Sequence, residues 1–228
     1  MRALRFILLL ATSLGGFAAA QEPRLPKVVL LGDSIRMGYA PLVEKRLAGK
    51  AIIVSPTANG GDSANTLKNL TAWAIREQPD FVHFNCGIHD VKKSKKTGDH
   101  QVPAGQYEAN LRQIVERLRK ETKATVIFAT TTPILDNLAA KSRVKAEYEL
   151  LEACATQYNG IARKVMDELK VPVNDLRAVM PDAKTREKLI SADGIHFTQE
   201  GREKLAAAVA DAISGQLGKD KNERSGAK

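Results

Sequence analysis

The sequence predicts an α/β fold, a three-layer α/β/α sandwich built around a five-stranded parallel sheet. Two observations carry this expectation. Short runs rich in Val, Ile and Phe alternate with longer stretches of helical period, the pattern of a parallel sheet covered on both faces. No repeat, low-complexity block or internal linker interrupts the chain between Lys27 and Leu217, so the unit is compact. About 200 residues suffice for one domain with a full core and fall short of two, and residues 21–217 are read as that single domain.

In chain order the candidate strands are 27–31, 51–54, 81–85, 125–129 and a short 171–174, each a run dominated by Val, Ile, Leu or Phe. Candidate helices fill the intervals at 40–47, 63–75, 103–120, 144–169 and 198–217. Several open on recognisable caps: Ser63 stands before an apolar face, and Thr198 precedes a first turn that holds Gly201. After Leu217 the chain is too polar to bury, and 218–228 is expected to be a disordered basic tail.

The other end reads as an export signal. Arg2 and Arg5 form a basic start, Phe6 to Leu10 an apolar middle, and Ala18-Ala19-Ala20 a small-residue cleavage site before Gln21. The signal, residues 1–20, is too short to be a stable membrane span, so the expected product is exported, to a periplasm or beyond the cell, after cleavage near Ala20. Two of the 35 basic residues fall in this leader, so the remainder carries about +7 rather than the whole-chain +9. Much of that surplus sits in Lys92-Lys93-Ser94-Lys95-Lys96 and in the tail. No aromatic residues interleave with these lysines, and they read as a solvated loop and a frayed terminus rather than a nucleic-acid surface. Cys86 and Cys154 lie in apolar contexts that suit a disulfide in an oxidising compartment or two buried thiols equally well.

The chemistry-bearing residues sit just past the strands, where open sheets of this type bind ligands. Gly32-Asp33-Ser34-Ile35 directly follows the apolar run Val28-Val29-Leu30-Leu31, a place where a serine is held rigid and exposed. Near the other end, Asp193-Gly194-Ile195-His196 supplies an acid and an imidazole three residues apart, the two partners an unactivated serine lacks. Each segment alone has a plainer reading: Gly-Asp-Ser is ordinary turn chemistry, and Asp193 suits a helix-entry cap. Together they suggest ester hydrolysis. Ser34 would attack, His196 would take its proton, and Asp193 would orient His196 and stabilise the imidazolium.

Four ordered blocks make the chain resemble the SGNH hydrolases, also called the GDSL family, over nearly its whole length after the leader. They are Gly32-Asp33-Ser34-Ile35, the pair Gly60-Gly61, Gly87-Ile88-His89-Asp90, and Asp193-Gly194-Ile195-His196. The resemblance implies a flavodoxin-like sheet, a nucleophile at Ser34, a backbone oxyanion donor near Gly60 and Gly61, a side-chain oxyanion donor in the third block, and the Asp193 and His196 pair. Ser34 itself counts among the oxyanion residues. In the third block this chain departs from the family, which has asparagine where His89 stands. A neutral imidazole still donates one N–H, so His89 can take that role with Asp90 as a neighbour that fixes its tautomer or raises its charge; Asn59 or Asn85 are the other sources of an amide, and the plainer reading is that His89 only lines the pocket. For the backbone donor Gly60, Gly61 and Ala58 all remain open.

Asp33, Arg36, Asn59, Asn85 and Asp90 are the candidate substrate-binding residues, Arg36 either meeting a carboxylate or sugar hydroxyl or standing in solvent. The spacings of His83, His89, Asp90 and His196 match no helical or knuckle ligand set, and neither a metal nor an organic cofactor is expected. Exported members of the family include carbohydrate deacetylases, arylesterases, lysophospholipases and thioesterases. With 5% aromatic residues and polar loops around the motifs, the sequence leans toward a small acyl ester of a polar alcohol, such as an acetylated polysaccharide, as the partner. A lysophospholipase or thioesterase, or a carbohydrate-binding protein that has lost catalysis on the same fold, are the competing readings.

Overall fold

The computed structural model describes residues 24–226; the expected export signal lies outside them. Five parallel strands, β1 (Lys27–Leu31), β2 (Ile52–Val54), β3 (Phe81–Phe84), β5 (Thr125–Ala129) and β7 (Val173–Asn174), form one sheet in the order β2-β1-β3-β5-β7. The strands pair in register, with Leu31 opposite Phe84 and Phe84 opposite Phe128. The middles of β1, β3 and β5 are buried while the edge strand β2 is partly exposed, and Phe84 meets Phe128 edge to face at 5.2 Å, so the apolar runs form the central layer. The chain leaves β1 toward β2 on one side and returns to β3 on the other. The carboxyl ends of β1 and β3 therefore flank the point where strand order reverses, the usual ligand crevice of open α/β sheets.

Helices α1 (Ser34–Arg46) and α7 (Gln199–Gly226) pack together on one face, while α2 (Ser63–Trp73), α3 (Ala104–Glu121) and α5 (Glu152–Glu168) form the other layer. In α7 the buried positions Leu205, Val209 and Ile213 recur every four residues beside Ala206 and Ala210, a single apolar stripe. The helix runs on through Gly226, across the polar stretch that the sequence reading leaves unstructured.

α1 starts six residues before the expected 40–47. Asp33 accepts the Ile35 N–H at 2.9 Å as an N-cap, and the exposed Pro41 lies inside the helix, on a side where water can take the carbonyl it leaves unpaired. The expected helix 144–169 shortens to α5, because 143–150 instead carries β6 (Tyr148–Glu149), paired antiparallel with β4 (Lys93–Ser94). Two short helices, α4 (Asp136–Ser142) and α6 (Ala183–Leu189), have no counterpart in the sequence reading. Cys86, buried, and Cys154, half-buried, are both free thiols. Among the described residues no helix is long and apolar enough to cross a membrane.

Candidate active site

Ser34 is the first residue of α1, three residues past β1, so its own N–H has no intrahelical partner and lies at the positive end of the helix. Its Oγ stands 2.8 Å from His196 Nε2. The other ring nitrogen, Nδ1, is 2.5 Å from Asp193 Oδ2. Since Nε2 faces a hydroxyl and Nδ1 a carboxylate, the proton belongs on Nδ1 and Nε2 is free to accept from Ser34.

The turn that presents this pair is built locally. Asp193 Oδ1 accepts from Ser191 Oγ and from the N–H groups of Ile195 and His196, each at 2.9 Å. One carboxylate oxygen caps the turn while the other holds the imidazole, so the plain capping role and the orienting role coexist. Partial burial pushes the Asp193 carboxyl up, but these bonds and the one from His196 pull it well below the usual carboxylate range.

The turn is docked from outside by α4 and the residues on either side of it. Leu135 N–H donates to Gly194 O at 3.0 Å, and Ser142 Oγ and Arg143 Nη1 donate to Asp193 O at 2.9 and 2.7 Å. Gly194 has φ +76°, and a Cβ there would stand 2.4 Å from Ala139 N and 2.7 Å from Leu135 O. Gly194→Ala is therefore expected to destabilise the protein by about 1–2 kcal/mol through the left-handed backbone alone. The clash with α4 adds to that and displaces His196, so a lower urea midpoint accompanied by a lower kcat is the expected pair of results.

Ser34, Asn59, His89 and His196 line one cavity of about 130 Å³, walled by Ile88, Leu150 and Ile195 and rimmed by Lys92, Arg143 and Tyr148. His89 follows β3 as Ser34 follows β1, so the reversal of strand order brings them face to face. Asp90, expected to fix the His89 tautomer, does not: it is buried and accepts from Ser63 N–H at 3.0 Å and Ser63 Oγ at 2.5 Å. Burial pushes its carboxyl up to about 7, against the pull of those bonds from Ser63. The group on His89 Nδ1 is Lys92 Nζ, at 2.9 Å. Far from standing in a solvated loop, Lys92 is half-buried and lies 4.9 Å from the centre of the Tyr148 ring.

Other expectations are corrected. Arg36 neither meets substrate nor stands in solvent. It is 2% exposed and donates to the carbonyls of Gly32, Pro56 and Ala58 and to Ser55 Oγ, binding the loop after β2 to the end of β1. Asp33 is a buried N-cap, and Asn85 donates to it at 3.4 Å, so both support α1 from beneath the cavity rather than lining it. Gly60 N–H donates to Gly32 O at 2.9 Å, an approach so close that a Cβ on Gly60 would meet that oxygen at 2.7 Å. Gly61 N–H is taken by Asn59 Oδ1 at 2.9 Å. His83 is buried in the sheet and accepts from Asn174, well apart from Asp90 and His196 in their own networks. Among the described residues no group of three or more His, Cys, Asp or Glu side chains is arranged to hold a metal ion.

Lys92, Arg143 and Tyr148 were absent from the sequence reading of the site. Lys92 had a signal, standing three residues after His89; Arg143 and Tyr148 had none, since they reach the cavity only through the contacts of α4 and of β4 with β6.

Known proteins share both the sequence pattern and the fold of this chain. The model of the GDSL-like lipase/acylhydrolase family matches residues 30–204. A GDSL esterase/lipase of Arabidopsis thaliana is 25% identical over 197 residues, covering 77% of this chain and 80% of its own. An isoamyl acetate-hydrolyzing esterase 1 homolog of Mus musculus is 26% identical, over 79% of this chain and 78% of its own. Among solved structures, a lipase/acylhydrolase from Enterococcus faecalis superposes with a TM-score of 0.69 at 25% identity, covering 84% of this chain and 97% of its own. An acetyl xylan esterase from Geobacillus stearothermophilus shares the fold with a TM-score of 0.66 at 21% identity, over 82% and 94% of the two chains. With a serine, an imidazole and a carboxylate already in hydrogen-bonded line at the switch point of the sheet, the chain belongs to the GDSL-like lipase/acylhydrolase family and is an enzyme that hydrolyses ester bonds.

Proposed function

We propose that this protein is an exported esterase that removes a small acyl group, most simply acetyl, from a carbohydrate, through an acyl-enzyme on Ser34. The observation that carries this reading is the line Ser34 Oγ, His196, Asp193 opening into a cavity of about 130 Å³. That volume lies well below the roughly 300–1,000 Å³ of sites for larger ligands. Ile88, Leu150 and Ile195 give it an apolar lining that suits a short acyl chain, and the basic and polar rim suits a hydroxylated alcohol.

In the first half-reaction Ser34 Oγ bonds to the ester carbonyl carbon while its proton passes to His196 Nε2. Asp193 holds the ring and balances the imidazolium charge. The carbonyl oxygen, now negative, meets the Ser34 N–H at the start of α1 and the N–H of His89 across the cavity. Collapse breaks the bond to the alcohol oxygen, which leaves with the proton from His196. Water repeats the sequence on the acyl-enzyme, giving up a proton to His196 and releasing the acid and free Ser34.

The test is a series of 4-nitrophenyl esters. From acetate to octanoate kcat/KM is expected to fall by about ten-fold or more, as successive methylenes outgrow a cavity of about 130 Å³. A preference for octanoate overturns the small-acyl assignment, and release of acetate from an acetylated polysaccharide, read by chromatography, checks the alcohol side.

A further inference from the structure

An imidazole can serve as an oxyanion donor only if its single proton sits on the nitrogen that faces the substrate. Nothing in an isolated histidine ensures this, because its two neutral tautomers interconvert readily. At His89 the ring nitrogen with a hydrogen-bond partner among the described residues is Nδ1, which stands 2.9 Å from Lys92 Nζ, so Nε2 is the nitrogen left for a substrate. An ammonium has donors only, so it satisfies an Nδ1 lone pair and opposes an Nδ1 proton.

We propose that Lys92 is a positioning residue that locks His89 in the Nε2–H tautomer and so keeps its one donor aimed into the cavity beside Ser34. The inference rests on the reading of His89 as an oxyanion donor and adds what makes a histidine serviceable there. The cation is itself held. Lys92 N–H closes a turn onto His89 O at 3.3 Å, which sets the two side chains side by side. Tyr148 lies beneath the ammonium at 4.9 Å, and the next residue, Lys93, pairs with Glu149 across β4 and β6.

The other charged and titratable groups facing His89 are Asp62, the N-cap of α2, with His196 and Arg143 across the cavity. Asp62 is already occupied by Asn65 N–H and Gln101 Nε2, and none of the three reaches Nδ1. Burial first, and Lys92 second, push the His89 imidazole down to about 4, so the ring is neutral at about pH 7.

The test is long-range proton–nitrogen correlation of the histidine rings in the intact protein from Gln21 onward, labelled with nitrogen-15, with His89→Ala identifying the signals. At pH 7 the expected pattern is an unprotonated Nδ1 and a protonated Nε2. Lys92→Met keeps the length and the apolar stem but removes the donor. It is expected to give a mixture of tautomers and about a ten-fold lower kcat on 4-nitrophenyl acetate with KM little changed, and Lys92→Arg is expected to recover both. A protonated Nδ1 in the unaltered protein overturns the lock without any variant. If His89→Ala is crippled while Lys92→Met changes neither tautomer nor kcat, the lock fails and the oxyanion reading survives. A locked Nε2–H tautomer alongside an unaffected His89→Ala rate does the reverse.

Discussion

Ser34→Ala is expected to lower kcat on 4-nitrophenyl acetate by about four to six orders of magnitude, with an unchanged circular dichroism spectrum. The size follows from the order of events. Without Oγ no acyl-enzyme forms, and what remains is direct attack by water assisted by the oxyanion donors. The fold should not notice, because the cap of α1 is the buried Asp33 carboxylate rather than the serine. His196→Ala should cost a similar amount, and the double variant little more than either alone, since the two act as one unit. Equal rates for the folded Ser34→Ala and unaltered proteins would remove Ser34 as nucleophile and with it the acyl-enzyme mechanism.

His89→Ala is expected to lower kcat by about two to three orders of magnitude while KM changes little, because the lost N–H acts on charge that appears only in the transition state. His89→Asn replaces the imidazole with the amide that the family carries at this place, and partial recovery relative to His89→Ala is the expected result. An alanine variant as fast as the unaltered enzyme would show that the oxyanion relies on backbone groups alone. Of these, Ser34 N–H is the one placed to contribute directly; Gly60 N–H is bound to Gly32 O, and Gly61 N–H would first have to be released by Asn59.

The layers of the sandwich could be read from the chain because strands buried on both faces must be apolar along their whole length, and 27–31, 81–84 and 125–129 have few other places to go. The Asp193 and His196 pair was equally legible, since its geometry is closed within one turn by bonds between residues at most five apart. Short elements were not. α4, α6 and the pairing of β4 with β6 span two to seven residues each, too few for a hydrophobic period to show, and they are held by what they dock against.

Charged residues beside the motifs were misread for a related reason. In sequence Arg36 reads as a substrate contact or a solvent group, and Lys92 as part of a solvated loop. Whether a long cationic side chain turns outward or inward depends on acceptors that other segments bring within reach. For Arg36 these are the carbonyls of Gly32, Pro56 and Ala58; for Lys92 they are the His89 ring and Tyr148. Hydrophobic patterning thus determined the α/β class, and the order of the motif blocks carried the resemblance to the family and the three residues expected to do the chemistry. The tertiary structure decided which polar groups face the cavity and which are consumed beneath it, because a hydrogen bond is settled by distances of a few tenths of an ångström between segments that the sequence keeps far apart.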